Sequence, residues 1–154
     1  MLSREELNHL NTIFWSRFKD QMKKTPSSNG RRMNWINYPS DVKDIYIRLE
    51  ADAKGARMCF DIQPKDESVR SIIWEQMNEL KRVLEEHTTY PSEWIEHYQM
   101  ADGRMISRIC WKDDALNFYH TDHHHAIYAF FKDRLVEFDQ FYQQFKDILI
   151  LLVN

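Results

Sequence analysis

Glycine is nearly missing from this chain of 154 residues: only Gly30, Gly55 and Gly103 occur. A loop that cradles phosphates with its backbone N–H groups needs glycines in close succession, so that class of nucleotide site is excluded. The Gly-x-Ser-x-Gly elbow of serine hydrolases and the zinc-protease helix motif are also absent. Cysteine is limited to Cys59 and Cys110, without metal-ligand spacing. Two isolated cysteines in a chain with a large core read as buried small hydrophobes in a reducing compartment, and no motif around either marks a nucleophile. The longest apolar run, 148–153, is far shorter than the roughly 20 residues of a membrane span, and the N-terminus has no apolar signal region. A cytoplasmic, membrane-free protein is the expectation. Basic residues form no stripe: Lys23-Lys24 and Arg31-Arg32 are short pairs in a chain of net charge −3, read as solvated helix end and loop.

What is abundant is aromatic. Nine Phe, seven Tyr and five Trp sit in a chain that is 43% hydrophobic, enough for one domain spanning 1–154 to build a core without disulfides or metal. Ser3 and Glu6 form a capping box, and Leu7, Leu10, Phe14, Phe18 and Met22 follow at helical spacing. Residues 25–30, with Pro26 and Gly30, stop that helix. Residues 33–38 read as a first strand. In the next segment Ile45, Ile47, Leu49 and Ala51 alternate with Tyr46, Arg48, Glu50 and Asp52. After an Asp52–Gly55 turn, Ala56, Met58, Phe60 and Ile62 alternate with Arg57, Cys59 and Asp61. That is the pattern of an antiparallel hairpin. Asp66-Glu67 open a second helix with stripe Val69, Ile72, Ile73, Met77, Leu80, Val83 and Leu84. A second strand pair spans 94–98 and 105–111 around Asp102-Gly103. The last helix runs from about Asp122 to the chain end. Its Phe131, Leu135, Phe138, Tyr142, Phe145, Leu149 and Leu152 repeat at a heptad-like period, consistent with a coiled-coil seam in a homodimer or with a long core helix; the aromatic content favours the core helix. The fold class is therefore α+β. A mainly antiparallel sheet of four to five strands is packed by three long helices in the order αβββαββα.

Three constellations could carry chemistry. The run from His120 to His125 offers imidazoles beside Asp122. Consecutive residues splay around a helix and no second cluster completes a ligand set, so no metal site is assigned there. The element order resembles the core of the nuclease superfamily named for its Pro-Asp…(Asp/Glu)-x-Lys motif, in which paired carboxylates hold magnesium and a lysine assists. Asp44 and Asp61 would supply the carboxylates, with Gln63 in the lysine position and Lys65 beyond Pro64. The pattern is degraded, and magnesium is implied only on this reading. Thirdly, Trp35, Tyr38, Tyr46, Arg48 and Arg57 combine aromatic faces with cations, as a surface that stacks single-stranded nucleic acid would.

The segment from Phe60 to Arg70, with 14–18, 34–38, 106–109 and 130–132, resembles the bacterial domain-of-unknown-function family numbered 4268, in its short stand-alone form, over nearly the whole chain. That family has no established activity. Its placement after nuclease-like regions in longer members implies an association with DNA processing or defence. Relatives tend to carry Asp-Trp-Pro where this chain has His123-His124-His125, so the histidine run reads as local drift. The leading expectation is a non-enzymatic interaction or accessory module with an unknown protein partner or a second copy. The alternative is a magnesium-dependent or decayed nuclease-like domain acting on DNA.

Overall fold

The computed structural model describes residues 2–153; Met1 and Asn154 lie outside the described residues. Ser3 and Glu6 do close a capping box, each side chain bonding the other's backbone N–H at 3.1 and 3.3 Å. From it runs α1, Arg4–Met22, which buries Phe14, Phe18 and Met22 at four-residue intervals. The hairpin follows as β1, Ile45–Asp52, and β2, Gly55–Ile62, in the register the alternation predicts, with Ile47 opposite Phe60 and Tyr46 opposite Asp61. Next is α2, Glu67–His87, capped by Asp66 through the N–H of Ser68. Strands β3, Glu93–Gln99, and β4, Met105–Asp113, make the second hairpin. A short 3₁₀ turn, Thr121–His123, leads into α3, His124–Val153.

The sheet is antiparallel with four strands in the order β1-β2-β4-β3. The two hairpins thus join along β2 and β4, which leaves β1 and β3 as edges. The expected strand over 33–38 does not form. Trp35 and Tyr38 are three residues apart, and both point inward. Trp35 donates Nε1–H to the carbonyl of Thr25 at 2.8 Å, and Asn37 N–H closes a turn onto the Asn34 side chain at 3.1 Å. Anchoring two inward rings outweighs the alternation that a strand requires.

Buried residues from all three helices form one core with Ile45, Ile47, Ala56, Met58, Phe60, Ile62, Ile109 and Trp111 of the sheet. These residues share one face, so the helices all cover the same side. The heptad-like positions Phe131, Leu135, Phe138, Tyr142 and Leu149 lie in that core. The period therefore serves packing inside the chain. Asp139 of α3, also buried, ties the segment before β1 to the core. It accepts from Ser27 Oγ at 2.9 Å, Ser28 N–H at 2.7 Å and Tyr38 Oη at 2.6 Å. Burial, and then the Asp139 carboxylate beside it, push the Tyr38 hydroxyl far above its usual titration range.

Candidate binding surface

Among the described residues no helix packs on the opposite face of the sheet. Its side chains come from the other parity of each strand: Tyr46, Arg48, Glu50 and Asp52 on β1; Arg57, Cys59 and Asp61 on β2; Ile106, Arg108, Cys110 and Lys112 on β4; Glu93, Ile95 and Tyr98 on β3. Their polar contacts run to one another across the strands, and those contacts shield the groups beneath.

Asp61 is fully buried and sits opposite Arg108 in the ladder. The Arg108 guanidinium grips both its oxygens, Nε–Oδ1 at 2.8 Å and Nη2–Oδ2 at 2.9 Å, and lies 4.3 Å over the Tyr98 ring. Burial opposes the charge on Arg108, yet the carboxylate of Asp61 prevails and the guanidinium is held more firmly protonated than usual. Arg48 approaches Asp61 from the other side at 3.9 Å and stacks 4.6 Å over Tyr46. Arg57 bonds Glu50 at 2.9 Å and also bridges to Asp52. That hydrogen bond holds the Asp52 carboxyl below its usual range, against the opposing pull of partial burial.

Two thiols lie under this layer. Cys59 and Cys110 are directly opposite, free, and 3.5 Å apart. The Gln63 N–H donates to the Asp44 carbonyl at 2.8 Å, so the odd-numbered residues of β2 turn their backbone groups toward β1. The Cys59–Cys110 pair is therefore a non-hydrogen-bonded pair of the β2–β4 ladder, where side chains approach most closely. Cys59 donates to Cys110. This contact, reinforced by burial, raises Cys59; the same contact, aided by Arg108 against the pull of burial, lowers Cys110.

The candidate residues of the sequence thus part company. Tyr46, Arg48, Arg57 and Asp61 meet on this face. Trp35 and Tyr38 do not: both are core side chains, 3% and 4% exposed. Asp44 lies just before β1 with φ at +62° and presents its carbonyl to Gln63. Gln63 accepts from Arg104 at 3.4 Å, and its buried Nε2 has no partner among the described residues. Lys65 is exposed beyond Pro64. The histidine run has structural contacts: His123 Nδ1 accepts from the Asn117 N–H at 2.9 Å, and His124 Nε2 bonds the Phe118 carbonyl at 2.6 Å. Among the described residues no three His, Cys, Asp or Glu side chains are placed to hold a metal ion, and no helix is long and apolar enough to cross a membrane. Neither Arg108 nor Tyr98 is among the candidate site residues of the sequence. The available signal was parity, since Arg108 alternates with the core residues Ile109 and Trp111 just as Asp61 alternates with Phe60 and Ile62.

The edge of β1 is the second feature of this surface. By the same ladder geometry, Tyr46, Arg48 and Glu50 direct their backbone groups to β2, while Ile45, Ile47, Leu49 and Ala51 direct theirs outward. Ile45 is covered: its N–H reaches the Val42 carbonyl at 3.2 Å and its carbonyl accepts from Ser40 Oγ at 2.6 Å. The outward N–H and C=O groups of Ile47, Leu49 and Ala51 have no hydrogen-bond partner among the described residues. Two clefts run beside this open stretch. One, of about 430 Å³, lies between Trp15, Ile36 and Asn37 and the strand; the other, of about 480 Å³, lies between residues 37–44 and the strand.

A four-stranded antiparallel sheet with helices on one side and a charged, aromatic open face defines an α+β domain of one-sided build. Within that class, the sequence matches the family described as Domain of unknown function (DUF4268) over residues 10–146, and the chain belongs to that family. No curated protein and no solved structure matches the chain.

Proposed function

We propose that this domain is a non-enzymatic interaction module that takes an added strand from a protein partner along the free edge of β1. The observation that carries this reading is the open run of outward backbone groups at Ile47, Leu49 and Ala51, in an edge strand flanked by clefts. Unpaired edge groups form a template for a further strand, and peptide recognition by strand addition uses that template. The carboxylate that a nuclease-like reading most needs, Asp61, already has both oxygens engaged by Arg108.

The test is panning of a short-peptide display library on the immobilised protein. Peptides that bind are expected to lose their grip on Leu49→Pro, which removes one outward N–H and leaves the β1–β2 ladder untouched, and to keep it on Ile72→Ala, an exposed α2 position away from the sheet. Binding indifferent to Leu49→Pro, or absence of binders to a protein that is also monomeric, overturns the reading.

A second reading has one favourable observation. Tyr46 is 40% exposed with Arg48 stacked on it, and an aromatic ring beside a cation can stack an unpaired base. Titration with a single-stranded oligonucleotide, comparing native protein with Tyr46→Ala, decides it: a binding signal that the substitution abolishes supports this reading, and no signal removes it.

A further inference from the structure

We infer that the strand added to β1 comes from a second copy of this chain, paired antiparallel about a two-fold axis at Leu49. This rests on the reading of β1 as a docking edge and names its occupant. Three observations select the register. Ser40 covers the edge at Ile45, which leaves an open window of Ile47, Leu49 and Ala51 with Leu49 at its centre. The outward groups of a two-fold centre must bond their own copies, which Leu49 can do. And the side chains beside that centre are self-complementary in charge.

With Leu49 opposite Leu49 of the second copy, Ile47 meets Ala51, Arg48 meets Glu50 and Tyr46 meets Asp52. Each of the last three contacts occurs twice. The apolar residues fall on the helix-covered side and the charged residues on the open face, matching the faces they already occupy. Arg48 and Glu50 form non-hydrogen-bonded pairs, the closer kind in an antiparallel ladder. The neighbouring registers are worse. Centring on Arg48 places two arginines face to face, and centring on Glu50 places two glutamates so. Centring on Ala51 sets Glu50 against Asp52 and Arg48 against Lys54. Centring on Ile47 needs the covered Ile45. Like charges directly opposite are destabilising, so the charge pattern of Tyr46–Asp52, together with the covered Ile45, rejects all but one register. The result is a continuous eight-stranded sheet, twice the four strands of one copy. Arg48 is 45% exposed and Glu50 36% exposed at their side chains, so both can turn toward a second copy without breaking the buried Asp61–Arg108 pair.

The experiment uses complementary charge reversals read by native mass spectrometry and sedimentation. The native protein is expected to be a concentration-dependent dimer. Arg48→Glu alone and Glu50→Lys alone each create two repelling pairs and weaken association by about tenfold or more. Mixing the two variants makes both pairs attractive again, one with its charges reversed and one native, and restores a dimer made of one copy of each. Leu49→Pro removes both hydrogen bonds at the centre and weakens association at least about tenfold. Its thermal midpoint, and those of the charge variants, establish that each chain is folded. A monomeric native protein overturns the self-pairing, as does a native dimer unaffected by these changes or a mixture that fails to restore. Peptide binding that stays sensitive to Leu49→Pro in a monomeric protein leaves the edge reading standing with a foreign partner. Loss of both removes the two together.

Discussion

Replacing Asp61 by alanine separates two accounts of the sheet's open face by the sign of one number. Asp61 is wholly buried, and Arg108 is 7% exposed at its side chain. Removing the carboxylate leaves a desolvated guanidinium without its bidentate partner. Breaking a buried pair in this way costs about 3–5 kcal/mol, because the remaining charge stays out of water. Arg108 keeps the Tyr98 ring at 4.3 Å and Glu50 at 3.9 Å, which places the cost near the lower end, about 3 kcal/mol. For a chain of this length that lowers the thermal midpoint by about 6–12 °C. Replacing both residues, as Asp61→Leu with Arg108→Met, removes both charges and returns most of the loss. Thermal and urea unfolding of the native chain, Asp61→Leu alone, Arg108→Met alone and the double variant close the cycle. If Asp61 instead served as a metal-holding carboxylate crowded by Asp44, its removal would relieve repulsion. An Asp61→Ala chain as stable as the native one, or more so, would refute the structural role argued for this pair.

Other outcomes follow from single contacts. At Gly55, with φ at +141°, an added Cβ would sit 2.5 Å from the Asp113 carbonyl, so Gly55→Ala is expected to cost about 2 kcal/mol in urea unfolding; a change near zero contradicts the close approach of that turn to the end of β4. Dilute hydrogen peroxide is expected to join Cys59 and Cys110: the Cys110 thiolate is oxidised to a sulfenic acid, the Cys59 sulfur displaces water from it, and the chain loses two hydrogens. Intact mass and loss of both thiols to alkylation together report the bond, and stepwise gain of oxygen without that loss argues against the juxtaposition. The Arg57 hydrogen bond favours ionised Asp52 in the folded chain. Its stabilisation is complete above pH about 4 and fades as pH falls through the lowered folded value, so the stability gap between native protein and Asp52→Asn should narrow in acid. A gap constant through acid pH would count against that bond.

The regular elements were legible because local signals agreed with tertiary need. Ser3 and Glu6 announce α1, Asp66 announces α2, and strict alternation from Ile45 to Ile62 set both the hairpin and its register. The segment 33–38 misled because Trp35 and Tyr38 are anchored by the Thr25 carbonyl and by Asp139, more than a hundred residues away for the latter. No local pattern encodes such partners. The heptad-like stripe of α3 left a seam between chains open beside the favoured core helix until the sheet was in place to receive it. For the surface, Tyr46, Arg48, Arg57 and Asp61 could be grouped by parity within one hairpin. Arg108 and Tyr98 belong to the other hairpin, and only the β2–β4 pairing brings them to Asp61. The open edge of β1 was hidden for a related reason, since strand order decides which strand is left unpaired.

Hydrogen exchange at the amides of Ile47, Leu49 and Ala51 tests the central claim most directly. In dilute protein these three N–H groups should exchange far faster than those of Tyr46, Arg48 and Glu50, which face β2. As concentration rises, exchange at Ile47, Leu49 and Ala51 should slow while their neighbours barely change. Protection of the three in dilute protein, or fast exchange that no concentration slows, would contradict the account.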